Sequence, residues 1–186
     1  MIKYCLIRDK ELKLKKLIVF MAPPGAGKTE LAEYLRSKID NSIIINKDKF
    51  TKGDTDYSKD LYYQSVNRLL QERDCVILDS QNLLYQDRVA LFNNIDAANQ
   101  KDIKIIGIWI EVSLKEANQR NSKKPADKQP SEEEMDFLFK YKISPMPDEP
   151  FDNLVYIMRD MDIGMSKSYP YISPISTILD RIIYEN

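Results

Sequence analysis

Leu17 to Ala22 is an apolar run, and it leads without a break into Ala22-Pro23-Pro24-Gly25-Ala26-Gly27-Lys28-Thr29. Residues 17–22 read as a buried strand. A helical pattern follows at once over 28–39, with Leu31, Leu35 and Ile39 on one face. Strand, glycine loop, helix is the context in which GxxxxGK[ST] cradles phosphate. Ala22 stands where that pattern has its first glycine. Gly25 and Gly27 let backbone N–H groups turn inward around phosphate oxygens, and the helix behind them presents its positive N-terminus. Lys28 is placed to neutralise the outer phosphates of ATP, and Thr29 to offer a hydroxyl to Mg2+. The expected nucleotide-binding set is Pro24, Gly25, Ala26, Gly27, Lys28 and Thr29.

Four more apolar, β-branched runs read as strands: 42–46, 75–79, 103–112 and 153–158. They are continuous rather than alternating, which indicates strands covered on both faces. Helical patterns separate them. Residues 57–72 turn Leu61, Leu69 and Leu70 inward, and 86–99 bring Val89, Phe92 and Ile95 together. Ser113 with Glu116 is a capping box for a helix reaching about Asn121. Ser131 with Glu134 opens another, with Met135, Leu138 and Phe139 facing the core. Near the end, Ser173 and Pro174 open a helix over about 174–184 with Ile175, Ile178, Leu179 and Ile182 as its stripe. Strand–helix alternation of this kind predicts a parallel sheet with helices on both faces. Ligands then sit beyond the C-terminal strand ends.

Composition narrows the chemistry. The chain has 186 residues, enough for one domain, and 28 Lys+Arg balance 29 Asp+Glu. That balance argues against a nucleic-acid coat over the whole surface. No apolar run approaches the roughly 20 residues of a membrane span. The charged first 16 residues do not suit a signal peptide, so a cytoplasmic location is expected. Cys5 and Cys75 sit in apolar stretches without metal spacing and read as buried hydrophobes. There is no histidine, which excludes Ser-His-Asp hydrolysis, HExxH zinc chemistry and any histidine base.

The remaining strand ends carry the other candidates. Strand two closes on Asn46-Lys47-Asp48-Lys49. Asp48 is the expected base for an acceptor hydroxyl, and Lys47 and Lys49 can meet an anionic acceptor. Strand three closes on Asp79 in the Walker-B manner, as support for Mg2+. Asn82 and Arg88 follow as candidates for acceptor recognition. After strand four, Arg120, Lys123 and Lys124 lie at a proline-broken loop between two helices. That is a lid over about 120–131 whose cations would stabilise charge on a transferred group.

In this order the motifs resemble the polynucleotide-kinase-like group of P-loop kinases, also described as AAA-type ATPase-like small kinases, over roughly residues 16–158. APPGAGKT is similar to the group's phosphate loop, and Asn46-Lys47-Asp48 to its asparagine-basic-aspartate signature. VILDSQNLLYQDR resembles the VIIDATNxxxxxR segment, and EVSLKEANQRNSKK resembles the lid. Met146-Pro147 through Glu149-Pro150-Phe151-Asp152 resembles the P…EGFD stretch. The chain departs from the group at Thr51, where an arginine is usual with Lys52 here beside it, and at Lys124, in place of the lid's second arginine. The resemblance implies an α/β P-loop kinase fold: a five-stranded parallel sheet, order 2-3-1-4-5, helices on both faces and a small lid. It covers neither residues 1–15, where an added edge strand is the expectation, nor 160–186.

The resemblance implies an ATP- and Mg2+-dependent kinase with Lys28, Asp48, Arg120 and Lys124 catalytic, Asp48, Asn82 and Arg88 at the acceptor, and Thr29 and Asp79 supporting the metal. The acceptor is a hydroxyl on a short nucleic-acid end, a nucleotide or a small metabolite. A nucleic-acid groove would draw on Lys47, Lys49, Lys52, Tyr57, Tyr62 and Tyr63. An ATP-hydrolysing regulator without an acceptor is the competing class. A toxin-type kinase acting on a sugar nucleotide shares the architecture, but nothing in the sequence points to it.

Overall fold

The computed structural model describes residues 14–50, 56–158 and 182–183. The first strand, β1, spans Lys15–Met21. The helix α1 (Lys28–Lys38) leads to β2 (Ser42–Ile45), and α2 (Asp56–Glu72) to β3 (Cys75–Leu78). After α3 (Tyr85–Asn94) come β4 (Ile103–Glu111), α4 (Leu114–Asn121), α5 (Glu132–Tyr141) and β5 (Asn153–Met158). The strands form one sheet in the order β2-β3-β1-β4-β5, every pairing parallel. Fold class and strand order are those the sequence predicts. No helix among the described residues is long and apolar enough to cross a membrane.

The central strand shows why its apolar run is unbroken. Ile18, Phe20 and Ala22 face one core with α1 and α4. Leu17 and Val19 face a second core with α2 and α3. Each alternate residue meets a helix layer, so neither face calls for a polar residue. At its start two neighbouring lysines point opposite ways. Lys15 Nζ donates to the carbonyls of Leu70 and Gln71 at the end of α2. Lys16, buried, donates to those of Ile182 and Ile183. Leu70 and Gln71 lie in the last turn of α2, so Lys15 meets both free carbonyls and the negative end of that helix dipole.

Some expectations change. The pattern over 86–99 is two elements: α3 stops at Asn94, and Asp96–Asn99 form a 3-10 turn. Asn93 and Asn94 are poor helix formers, and the Asp96 N–H is taken by Asn67 Oδ1 of α2. Leu61 and Val89 are exposed, because α2 buries Tyr62, Val66, Leu69 and Leu70, and α3 buries Leu91. The strand at 153–158 is not covered on both faces. It is the sheet edge, and of its six residues only Ile157 is buried. Cys75 is free and buried, which pushes its thiol up to about 12. The expected edge strand before residue 14, Cys5, Thr51, Lys52, the Tyr57 side chain and most of the helix expected over 174–184 lie outside the described residues; Ile182, on its stripe, is buried.

Candidate functional site

The C-terminal ends of β1, β2 and β3 meet around one carboxylate. Asp79, just past β3, is buried, and its Oδ2 accepts hydrogen bonds from the Thr29 hydroxyl at 2.9 Å and from Asn46 Nδ2 at 3.3 Å. Asn46 uses both ends of its amide. Its Oδ1 accepts the backbone N–H of Asp48 at 2.8 Å, capping the 3-10 turn Lys47–Lys49 that follows β2. That turn is closed by Phe50, whose ring meets Tyr62 edge-on at 5.7 Å. Asp48 is thereby fixed at its backbone while its side chain stays exposed. Asn46 was seen in the sequence only as part of a signature. Its bridging role needed β2 and β3 side by side.

The glycine loop closes the other side. Gly25 and Gly27 both have φ of 84°, a conformation that L side chains rarely adopt. Ala22 does not, which is why alanine can stand there: it directly follows β1, and its N–H donates to Gln81 O at 2.9 Å. Lys28 curls back over the loop and donates to the carbonyls of Ala22 at 3.1 Å and Pro23 at 3.0 Å. Burial of the ammonium lowers its pKa to about 8. Asp79 and Asp48 pull it upward and Lys124 pushes it further down. Lys28, Asp79, Asp48 and Lys124 thus share one electrostatic neighbourhood.

Gly25 also lacks room. A Cβ there would lie 2.5 Å from the carbonyl oxygen of Ala117 and 3.1 Å from Asn121 Nδ2, so α4 rests directly on the loop. Gly25→Ala should cost at least about 1–2 kcal/mol from the left-handed backbone alone, with the clash added. Urea unfolding measures it, and an unchanged midpoint would contradict the contact. Asn121 escaped the sequence reading as a site residue. It is buried against Met135, and its Oδ1 has no hydrogen-bond partner.

The lid segment takes the form of α4, a loop with a 3-10 turn at Ala126–Lys128, and α5. Ser113 and Ser131 cap the two helices as their spacing predicts. Arg120 pairs with Glu116 one turn earlier at 2.7 Å, and Lys123 and Lys124 are exposed. Gln129 Nε2 ties down the Lys124 carbonyl at 2.6 Å.

Two acceptor candidates are turned elsewhere. Arg88 is fully buried and all five of its N–H groups are occupied. Nε and Nη2 form a fork with Glu149 at 2.6 and 2.9 Å; Nη1 donates to Asn82 O and Leu83 O, and Nη2 also to Ser144 O. Asn82 is buried with φ of 44°, and its Nδ2 donates to Phe20 O at 2.9 Å. Arg88 therefore has no donor left for an acceptor and does not fill the expected role, while Asn82 is buried with one of its two amide N–H groups spent on Phe20 O. Tyr62 and Tyr63 are likewise core residues, 1% and 8% exposed, and give no stacking platform. The Tyr62 hydroxyl lies 3.4 Å from Ser80 Oγ. Burial pushes its phenol up to about 12, which removes it as a base.

A family model described as "Chromatin associated protein KTI12" matches residues 16–159. The chain belongs to this family. Its fold is that of the P-loop kinases. The crystal structure of a fungal RNA kinase superposes with a TM-score of 0.60 at 22% identity, over 82% of this chain and 78% of that one. A gluconokinase from Sinorhizobium meliloti 1021 gives 0.57 at 14% identity, over 91% and 90%. A putative kinase from Chloroflexus aurantiacus j-10-fl gives 0.59 at 18%, over 91% and 94%. No curated protein matches. At these identities the likeness establishes the fold of this KTI12-family chain, and function rests on the site itself.

Proposed function

We propose that this chain is an ATP- and Mg2+-dependent kinase that transfers the γ-phosphate to a hydroxyl acceptor. One observation carries the reading: the Asp79 carboxylate is bonded to the Thr29 hydroxyl and, through Asn46, linked to the backbone of Asp48. Donor, metal and acceptor functions are thereby joined at three adjacent strand ends.

The residues fit a magnesium ion. Thr29 and Asp79 supply neighbouring oxygens, the hard donors Mg2+ takes, and an ion that shares its shell with phosphates and water needs only one or two protein ligands. No cluster of three or more His, Cys, Asp or Glu occurs among the described residues, and none is needed. Bound there, Mg2+ supplies positive charge to the phosphate oxygens. The loop N–H groups and Lys28 cradle the same phosphates. Asp48, exposed and flanked by Lys47 and Lys49, takes the proton of the attacking hydroxyl. Lys124 and Arg120 bring further charge when the lid closes.

A nucleic-acid or nucleotide 5′-hydroxyl is the first acceptor to test. The fungal RNA kinase among the fold relatives supports it, as do the lysines beside Asp48. The buried Tyr62 and Tyr63 count against a long stacked strand, and the gluconokinase keeps small metabolites in view. The test is incubation with γ-labelled ATP and a panel of 5′-OH DNA, 5′-OH RNA, nucleosides and sugars. Label in one acceptor class names the substrate. The family description names chromatin association and no acceptor, which favours a second reading, an ATP-hydrolysing regulator. Acceptor-independent turnover equal to the best acceptor-driven rate would select that reading over the kinase.

A further inference from the structure

Arg88, on α3, and Glu149, just before β5, are 61 positions apart and meet in the interior as a bidentate pair with 0% and 5% of their side chains exposed. These are the arginine and the glutamate of two sequence segments whose pairing the sequence did not reveal. A buried ion pair adds little net stability, because desolvation offsets most of the attraction. Its effect is directional: five bonds from one planar group fix the groups around it.

What it fixes is the stretch between β3 and α3. Residues 79–83 are neither strand nor helix, so their backbone is held one contact at a time. Asp79 N–H donates to Ile45 O. Gln81 O accepts from Ala22 of the glycine loop. Leu83 O accepts from Ile143. The carbonyls of Asn82 and Leu83 both receive Arg88 Nη1, and Asn82 reaches across to Phe20 O from its left-handed backbone. Glu149 in turn accepts from Met146 N–H, anchoring its own loop.

We infer that Arg88 and Glu149 are positioning residues: by clamping residues 82–83 they set where Asp79 stands, and so the affinity for the divalent ion that accompanies ATP. The inference rests on the proposed reading of Asp79 and the loop. A lysine at 88 keeps the charge but has three donors for five contacts.

The test uses the full chain and Mn2+ as probe. Mn2+ bound to the protein–ATP complex is counted by electron paramagnetic resonance, ATP binding without metal is measured alongside, and melting reports the fold. In the double variant Arg88→Met/Glu149→Leu, Mn2+ affinity should fall about 10- to 100-fold, the usual effect of losing support behind a metal ligand. Metal-free ATP binding should stay near wild type and melting should stay cooperative. Arg88→Lys should fall between. A folded double variant with wild-type Mn2+ affinity overturns the inference, because a purely structural pair predicts that result. Should the double variant not fold, Arg88→Lys decides. It keeps the buried charge opposite Glu149 but has too few donors to hold the Asn82 and Leu83 carbonyls as well; weakened Mn2+ binding supports the clamp and unchanged binding overturns it. Wild-type protein that binds no ATP at all is a different failure: it removes the proposed function, and this inference with it.

Discussion

Asp48→Asn is expected to lose phosphoryl transfer by about 100- to 10,000-fold, the contribution of a positioned general base. Nucleotide binding should be unaffected. The substitution removes a proton acceptor and little else: the Asp48 side chain is exposed, and the bond that fixes the turn comes from its backbone N–H to Asn46. Folding and the Thr29–Asp79 contact therefore survive. The measurement is labelled transfer to the best acceptor of the panel, with ATP affinity determined beside it. Loss of transfer with intact ATP binding assigns Asp48 to the acceptor half of the reaction. Transfer within a few-fold of wild type would remove Asp48 as base, and with no histidine in the chain the proton would then go to another carboxylate, to solvent or to the phosphate itself. An Asp48→Asn variant that kept acceptor-independent hydrolysis while losing transfer would separate the two chemistries in one protein.

Lys28→Ala is the second large effect. Turnover should fall about 100- to 1,000-fold, the loss seen when one preorganised charge donor is removed from a transition state. The fold should hold or gain slightly, since burial already disfavours this ammonium and its partners are the carbonyls of Ala22 and Pro23. The lowered pKa of about 8 makes a pH prediction with a definite sign. Below pH 8 Lys28 is charged both folded and unfolded, and the penalty for burying it is fully present. Between 8 and the ordinary value of 10.5 the folded protein has lost the proton while the unfolded chain still holds it, so stability rises with pH. The rise is small, because the side chain keeps some contact with water. Activity moves the other way: kcat/KM for ATP should decline above about pH 8 as the free enzyme loses the cation. In Lys28→Arg that limb should vanish. A limb that persists in Lys28→Arg belongs to another group.

The donor half of this site was legible in sequence because its parts are contiguous. Strand, loop, Lys28 and Thr29 follow one another within 13 residues, and a parallel sheet puts the loop at a strand end whatever the rest of the chain does. The strand order was legible for a similar reason, since it accompanies the motif. Arg88 misled because its spacing after Asn82 describes where it sits on α3 and says nothing of where it points. Only the distant Glu149, in the loop before β5, shows that its guanidinium turns inward. Asn46 was undervalued because its partner is Asp79, 33 residues on, across two strands joined by the sheet rather than by sequence. The break of the predicted helix at Asn94 depended on Asn67 of a neighbouring helix. In each case the missing information was a contact between elements, which no local pattern contains.

The two lysines that open β1 have a bearing on when the molecule can be finished. β1 is the first strand described, yet its sheet partners are β3 and β4, which emerge from residues 75 and 103 onward. The carbonyls that Lys16 holds come later still, 166 and 167 positions along the chain. During synthesis the middle of the sheet is thus made early and completed late. Bringing such distant groups together costs loop-closure entropy that only prior packing of the intervening elements can reduce. Docking of residues 182–183 against β1 is therefore expected among the last steps of folding, well after α2 has found Lys15.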